Sequence, residues 1–564
     1  MMQTMKKYYW PALLLCAIAM GSFLRIWQIT SSDVITDEGG LGFRSVGLID
    51  FDAAENQTTP WEWTGTPYWW MRLSMHDHPP LYFLAQHLSF TILGENTIAM
   101  RLPSAIFGIG SLILVYFITK KLFDKWTAVI TVALASVQAY LVWVSRTGLQ
   151  ESMVIFFMLA SVLAFIHSEK NNRLFFAFGL FLGLSWLTKY TAIALLPAVF
   201  AYIIVARKNF LKNKYLWMAL AISVIIFSPV ILYNIMLFRK FGHFDFQFSY
   251  LFGQNVSAWQ IQPGKEEFKN FNEKFFALFS NLKNGLTPAF LTGLLLSFVY
   301  SSYISLRKRS QAAFLPIFTI FSLFAMYIFI GPSQRFLSIV IPFFIMILSY
   351  GTRQLTDFIK KFPKRKLWMA FYALAIIFFI ATEGYFSYQT AISKKPKNYY
   401  SKNLQSNFSY SGYNELNSWI EEKIRNKGPQ YSFTMQYEFL QKLSEKKLKK
   451  NNNLAPILFV YDENINEESN LWIFHRQMAY HSWPVLTSEA YYKTIFDKGK
   501  DFYKKTGLSE IYFIKKSPNT MGKKFGNTSK FPDILSNYLN IGENSNQNDL
   551  RDPFGNIAFS IYAL

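Results

Sequence analysis

Long apolar runs, each bounded by charged or turn-forming residues, recur along the first two-thirds of the chain and stop near residue 390. A helix that crosses a bilayer needs about 20 mostly apolar residues. Eleven stretches fit that pattern: 8–29, 98–119, 126–144, 152–168, 173–188, 190–206, 215–237, 288–305, 313–331, 335–351 and 367–390. A shorter apolar stretch, 80–94, follows Pro79-Pro80 and could be a span or an interfacial helix. Beyond residue 390 the pattern changes. Strand-like Pro456–Tyr461 and Glu510–Ile514 alternate with helical patterns at Tyr413–Lys427 and Glu438–Lys450. The expected architecture is an α-helical polytopic membrane protein, with about 11 to 13 transmembrane helices and a C-terminal soluble α/β domain. The expected boundaries are 1–390 for the transmembrane domain and 391–564 for the soluble one, which is long enough for a single domain.

The basic residues orient the spans. Cytoplasmic loops carry an excess of Lys and Arg. Lys6 and Lys7 precede the first stretch. If 80–94 does not cross, the clusters Lys120-Lys121, Lys170 with Arg173, Arg207-Lys208, Arg307-Lys308-Arg309 and Lys364-Arg365-Lys366 all fall on the cytoplasmic side. Letting 80–94 cross would invert them, so it reads as juxtamembrane or re-entrant. The C-terminus then lies outside, together with loops 30–79 and 238–287. The first stretch lacks a small-residue cleavage site after it and reads as an uncleaved anchor.

Composition agrees and excludes other classes. Half of the 564 residues, 51%, are hydrophobic and 16% are charged, against about 25% charged in a typical soluble domain. A lone Cys excludes a disulfide framework, and the apolar content excludes a disordered chain. The net charge of +22 would raise nucleic acid as a partner. Its clustering between spans reads instead as membrane orientation, so no nucleic-acid partner is expected. No Walker A loop, GxGxxG or paired CxxC occurs.

Several ionisable residues sit at the outer ends of these spans. Asp37 and Glu38 follow the first; His76, Asp77 and His78 precede the prolines; Arg146 and Glu151 flank a short turn; Lys189 separates two spans without a loop; Arg335 opens another. Each has a plain structural explanation: a solvated loop, a snorkelling lysine, a helix-end anchor, or a Glu151–Arg146 pair. Their convergence on one membrane face favours chemistry, because ionisable groups at membrane depth are costly and often functional. A carboxylate can take a proton from a nucleophile, while cations stabilise charge developing on a leaving phosphate.

These residues carry a resemblance. Asp37-Glu38-Gly39-Gly40, His78-Pro79-Pro80-Leu81-Tyr82, Arg101-Leu102-Pro103-Ser104, Leu187-Thr188-Lys189 and Arg335-Phe336-Leu337 with Pro342 follow one another in an order and spacing that resembles the polyprenyl-phosphate-sugar-dependent membrane glycosyltransferases of the GT-C fold, over roughly residues 8–351. The aminoarabinose transferases of lipid A and the protein O-mannosyltransferases are the most similar groups. The resemblance implies a polyprenyl-phosphate-linked sugar donor and an acceptor hydroxyl on an envelope lipid, glycan or protein. It also implies inversion at the anomeric carbon, on the outer face of a bacterial cytoplasmic membrane. Inversion needs one direct displacement and one general base. Asp37 is then the expected base, with Glu38 and Glu151 orienting acceptor or base. His78, Lys189 and Arg335 would hold the departing phosphate, and Arg146, Tyr82 and Trp69 could contact substrate. The family's second outer-loop acid is usually Asp, and Glu151 departs from it.

No cofactor is expected to be required. A divalent cation at Asp37, Glu151 and His78 could bind, but a monophosphate leaving group can be stabilised by cationic side chains alone. Loop 238–287 is Phe-rich, with a strand-like alternation at Phe244–Phe248, and reads as interfacial packing or as a lid over the lipid. Trp61, Trp63, Trp69 and Trp70 could stack on sugars or form an interfacial belt. The competing readings are a transporter or flippase for lipid-linked sugars, an oligosaccharide ligase or polymerase with a diphosphate-linked donor, and an inactive scaffold. A transporter would place polar residues at the midplane of its helices, whereas here they lie at the outer ends.

Overall fold

All eleven apolar stretches are helical, and their ends follow local capping. The computed structural model describes residues 2–50, 68–254, 270–307, 311–395, 404, 406–431, 441–442, 445, 453–522, 528–541 and 547–564. Thr97–Leu122 begins after Asn96, whose side chain accepts the Ala99 N–H at 2.9 Å. Asp124 does the same for Thr127 at 2.8 Å, opening Lys125–Val137. That helix breaks at Gln138, which is extended and turns its side chain onto the Leu141 N–H at 3.2 Å to open Ala139–Arg146. The two pieces are bent by 55°.

Among the described residues, five helices are long and apolar enough to cross a membrane, and six if the bent pair counts as one span. Five more apolar helices are shorter: Trp10–Ile26, Leu81–Leu93, Leu174–Thr188, Tyr190–Ala206 and Pro288–Ile304. The chain is a multi-pass membrane protein, but by length and composition alone the count stays below the 11 to 13 expected from sequence. The breaks at Gln138 and Lys189 shorten several helices.

The chain divides into two compact units, Met1–Ile29 with Trp70–Ser406, and Thr30–Trp69 with Asn407–Leu564. In the first unit, Leu174–Thr188 and Lys214–Phe241 approach closely at glycines. A Cβ on Gly179 would run into the Ala219 backbone, and one on Gly183 into Ile226. Ser223 Oγ donates to the Gly179 carbonyl at 3.0 Å. Small residues at such a seam let helix backbones pack without a hydrophobic driving force.

The second unit is built on a five-stranded mixed sheet. Ile457–Tyr461 is its parallel centre, flanked by Val485–Thr487 and Glu510–Lys516; Ile557–Ala563 and then Gln547–Arg551 extend the second side antiparallel. All five residues of the central strand are buried. Leu458, Val460, Tyr491, Ile495, Ile511, Phe513 and Leu535 form a core on one face. Helices Glu467–Asn470 and Arg476–His481, joined by a π-helical turn at Leu471–His475, connect two of the parallel strands. The expected C-terminal α/β domain is therefore present, and its helix Tyr413–Ile424 is shorter than the sequence pattern. The pattern at 438–450 falls almost wholly outside the described residues. The first outer loop, read from sequence with the helical domain, shares the compact unit of the tail up to Trp69.

Candidate functional site

In the helical unit, three residues that are far apart in sequence meet at one carboxylate. Glu151 is fully buried and opens helix Glu151–Ser168, where the N-terminal dipole favours an anion. Its Oε1 receives the Lys189 ammonium and lies 3.0 Å from Arg335 Nε. Its Oε2 has no hydrogen-bond partner among the described residues. Lys189 can reach inward because the chain is extended there, at φ −158° and ψ 132°, between Leu174–Thr188 and the 3-10 turn Tyr190–Ala194. Arg335 lies on another 3-10 turn, Gln334–Ile339. The Lys189 ammonium also sits 4.7 Å from the centre of the Phe336 ring. Together the three groups carry +1.

The turn that presents Glu151 rests on Ser104 and Gln86, with Tyr82 behind them. Ser104 Oγ donates to the Leu149 carbonyl at 2.7 Å, and Gln86 Nε2 to the Gly148 carbonyl at 3.3 Å. Tyr82, fully buried, shares a 2.8 Å hydroxyl–hydroxyl bond with Ser104. Tyr82 is thus a brace beneath the turn and is not open to substrate. Arg146 is corrected in the same way. It donates to the carbonyls of Leu24, Trp27 and Gln28 at 2.8–3.0 Å, which closes the C-terminal end of the first helix. Arg101 adds a 2.7 Å bond to the Ile29 carbonyl. Glu151 therefore pairs with Lys189 and Arg335, not Arg146. Glu151 is fully buried, and a divalent ion reaching it would meet two cations already on Oε1.

A second polar cluster surrounds the loop before the prolines. His78 Nδ1 lies 2.8 Å from Asp77 Oδ2, and His76 Nδ1 4.0 Å from Asp77 Oδ1. The His76 carbonyl accepts the Phe246 N–H at 2.7 Å, which ties this loop to the start of the Phe-rich segment. Asp245, absent from the sequence candidates, anchors that contact. It is fully buried, accepts Tyr190 Oη–H at 2.9 Å and Asn234 Nδ2–H at 3.0 Å, and caps helix Phe246–Leu251 through the Phe248 N–H at 2.8 Å. Burial pushes its carboxyl up to about 6, opposed by those donors and by the charge of His76. The strand-like alternation at Phe244–Phe248 is overridden by this cap, so the segment is helical.

In the second unit, the sequence motif at 37–40 opens helix Glu38–Gly47. Asp37 is exposed and Glu38 is fully buried, so the two acids of the motif differ in what they can touch. The helix lies against the helical run 467–481. Gly40 N–H donates to Glu468 Oε2 at 2.6 Å, Ser469 Oγ to the Val34 carbonyl at 2.5 Å, and Tyr480 Oη to the Phe43 carbonyl at 2.8 Å. Ahead of the motif, Asp33 accepts the N–H groups of Ser411 at 2.5 Å and Asn414 at 3.0 Å. Trp69 is 67% exposed, consistent with a surface contact, whereas Trp70 is buried against Tyr233. Trp61 and Trp63 lie outside the described residues.

Residues 77–233 match the family model described as dolichyl-phosphate-mannose-protein mannosyltransferase. The protein named "Putative mannosyltransferase YkcB" from Bacillus subtilis (strain 168) is 26% identical over 218 residues, a match that spans 35% of this chain and 30% of YkcB. Among solved structures, ArnT from Cupriavidus metallidurans bound to undecaprenyl phosphate superposes with a TM-score of 0.51 at 12% identity, covering 99% of this chain and 98% of ArnT. The oligosaccharyltransferase AglB from Archaeoglobus fulgidus, in complex with an inhibitory peptide and a dolichol-phosphate, gives a TM-score of 0.50 at 14% identity, covering 91% of this chain and 70% of AglB. The chain has the GT-C fold that these membrane glycosyltransferases share.

Proposed function

We propose that this protein is a glycosyltransferase. It moves a sugar from a polyprenyl-phosphate donor to a hydroxyl of an envelope lipid, glycan or protein, at the outer face of the cytoplasmic membrane and with inversion. The observation that carries the reading is the buried Glu151–Lys189–Arg335 cluster, within a fold that matches undecaprenyl-phosphate-bound ArnT along nearly its whole length. Two cations held on one buried carboxylate form a rigid, net positive receptor suited to an anionic lipid phosphate.

In this reading Asp37 takes the proton from the acceptor hydroxyl as its oxygen attacks the anomeric carbon. The bond to the lipid phosphate oxygen breaks, and Lys189 and Arg335 receive the phosphate charge, with His78 as a further contact. Glu151 aims the two cations. No metal is required, because the cationic pair does the work a divalent ion would do. The outer-face orientation is supported by Lys120 and Lys121, which lie in the last turn of Thr97–Leu122 on the side assigned to the cytoplasm.

Reconstitution in proteoliposomes with a panel of polyprenyl-phosphate sugars, read by mass spectrometry of lipid and envelope fractions, tests the assignment. Transfer that survives excess chelator and is lost in Asp37→Asn is expected. No transfer from any donor by a folded protein would sink it.

A further inference from the structure

Tyr327 lies on helix Phe314–Ile330 with its side chain fully buried. A buried tyrosine hydroxyl needs a hydrogen-bond partner. The helix ends three residues later, where Gly331 takes φ 99° and turns the chain back. A positive φ of this kind suits glycine, which has no Cβ to clash. The Gly331 N–H donates to the Tyr327 carbonyl at 2.8 Å, and the Tyr327 hydroxyl donates to the Phe336 carbonyl at 2.7 Å. One residue thus holds the reversal through both its backbone and its side chain.

The reversal brings back the turn that carries Arg335. Phe336 directly follows Arg335 on the 3-10 turn Gln334–Ile339. Ahead of Arg335, Asn281 Nδ2 donates to the Pro332 carbonyl at 2.6 Å, so the backbone is held before and after it. The Tyr327 and Phe336 rings pack with centroids 6.2 Å apart, tilted by 32°. The Lys189 ammonium rests 4.7 Å from the centre of the Phe336 ring. Both cations on Glu151 are therefore reached through Phe336, Arg335 by the adjoining backbone and Lys189 by the ring.

We propose that Tyr327 is a positioning residue for the donor phosphate. Its hydroxyl fixes the turn that carries Arg335, and its ring backs the ring beneath Lys189, so one side chain sets the spacing of the two cations. A pair of cations recognises one phosphate only when their nitrogens match its oxygens, and a misplacement of about 1 Å is enough to lose much of that match. This rests on the reading of Lys189 and Arg335 as the phosphate site of a glycosyltransferase.

The test measures binding of undecaprenyl phosphate to the full-length protein in nanodiscs, beside undecaprenol, which has the same chain and no phosphate. Tyr327→Phe keeps the ring and removes the hydroxyl. It should weaken binding of the phosphate about fivefold, the scale of one net hydrogen bond, and leave undecaprenol within about twofold. On an Arg335→Ala background the same change should cost less than about twofold, because the residue it positions is gone. Phe336→Leu keeps the carbonyl and removes the ring beneath Lys189. It should weaken phosphate binding about threefold, the scale of a cation–π contact, and it decides the matter if Tyr327→Phe does not fold. Wild-type phosphate binding in Tyr327→Phe, or in Phe336→Leu, would overturn the positioning role. Equal losses for undecaprenol and its phosphate would also overturn it, as would a full loss that persists on the Arg335→Ala background. Wild-type phosphate binding in Arg335→Ala and in Lys189→Ala would instead remove the underlying reading of the phosphate site.

Discussion

Arg335 brings its Nε to 3.0 Å from Glu151 Oε1, the same oxygen that holds the Lys189 ammonium. Two cations on one oxygen repel each other, and the shared carboxylate is what makes the arrangement tolerable. Breaking a buried pair from one side is costly because it strands the remaining charges, by about 3–5 kcal/mol. Glu151→Gln is therefore expected to lower the thermal midpoint. Added polyprenyl phosphate should restore more of the midpoint in Glu151→Gln than it adds to wild type, because the lipid phosphate supplies the missing anion. An equal ligand-induced rise in both proteins would count against Lys189 and Arg335 as the phosphate site.

Arg335→Lys separates shape from charge. A guanidinium has five donors in a fixed fork, so one group can serve Glu151 and a second anion at once. A lysine has one nitrogen and cannot hold both in the same geometry. The donor KM should rise roughly tenfold, the equivalent of about 1.4 kcal/mol, with a smaller change in kcat. A KM unchanged within twofold would show that Arg335 serves Glu151 alone.

Asp33 gives a pH dependence. Burial raises its carboxyl to about 6, opposed by the N–H groups of Asn414 and Ser411. An unfolded aspartate ionises near 3.9. The stability that Asp33 contributes is therefore full below about 4 and is lost as the pH rises through about 6. Asp33→Asn cannot ionise. The thermal midpoint of wild type minus that of Asp33→Asn should fall between pH 4 and pH 6.5 and level off above. A difference that is flat across that window would show that Asp33 does not carry its proton into the folded state.

Much of the helical domain was readable because hydropathy is a direct demand of the bilayer, and every apolar stretch became a helix. The positions of Glu151, Lys189 and Arg335 were readable for a related reason: charge at a span end is expensive and stands out. Their pairing was not, because it depends on which helices pack together. The same blindness explains Arg146 and Tyr82. From sequence they sit beside catalytic candidates, but the carbonyls of Leu24, Trp27 and Gln28, and the hydroxyl of Ser104, reach them only through tertiary packing. Asp245 carries a local signal, an Asp directly ahead of a short Phe-rich helix, where N-caps belong. Glu468 had none: its partner Gly40 lies 428 residues away.

Asp245 and Tyr190 yield the last expectation. The Tyr190 hydroxyl donates to Asp245 Oδ2 at 2.9 Å, and Asp245 caps the helix whose first N–H bonds the His76 carbonyl. Three segments thus share one buried carboxylate: the Tyr190 turn beside Lys189, helix Lys214–Phe241 through Asn234, and the start of the Phe-rich loop, whose Phe246 N–H holds the 74–78 loop at the His76 carbonyl. Tyr190→Phe removes one donor and keeps the ring, and a net loss of about 1 kcal/mol is expected. Asp245→Ala removes the cap as well as both side-chain bonds, and should cost more; a cap alone is worth about 0.5–2 kcal/mol. Local opening should appear first where the packing depends on this carboxylate. Hydrogen exchange in peptides spanning 244–254 should accelerate in Tyr190→Phe and further in Asp245→Ala, while peptides from the Thr97–Leu122 helix remain protected. Unchanged exchange at 244–254 in Asp245→Ala would show that the Phe-rich loop is held by its aromatic contacts and not by Asp245.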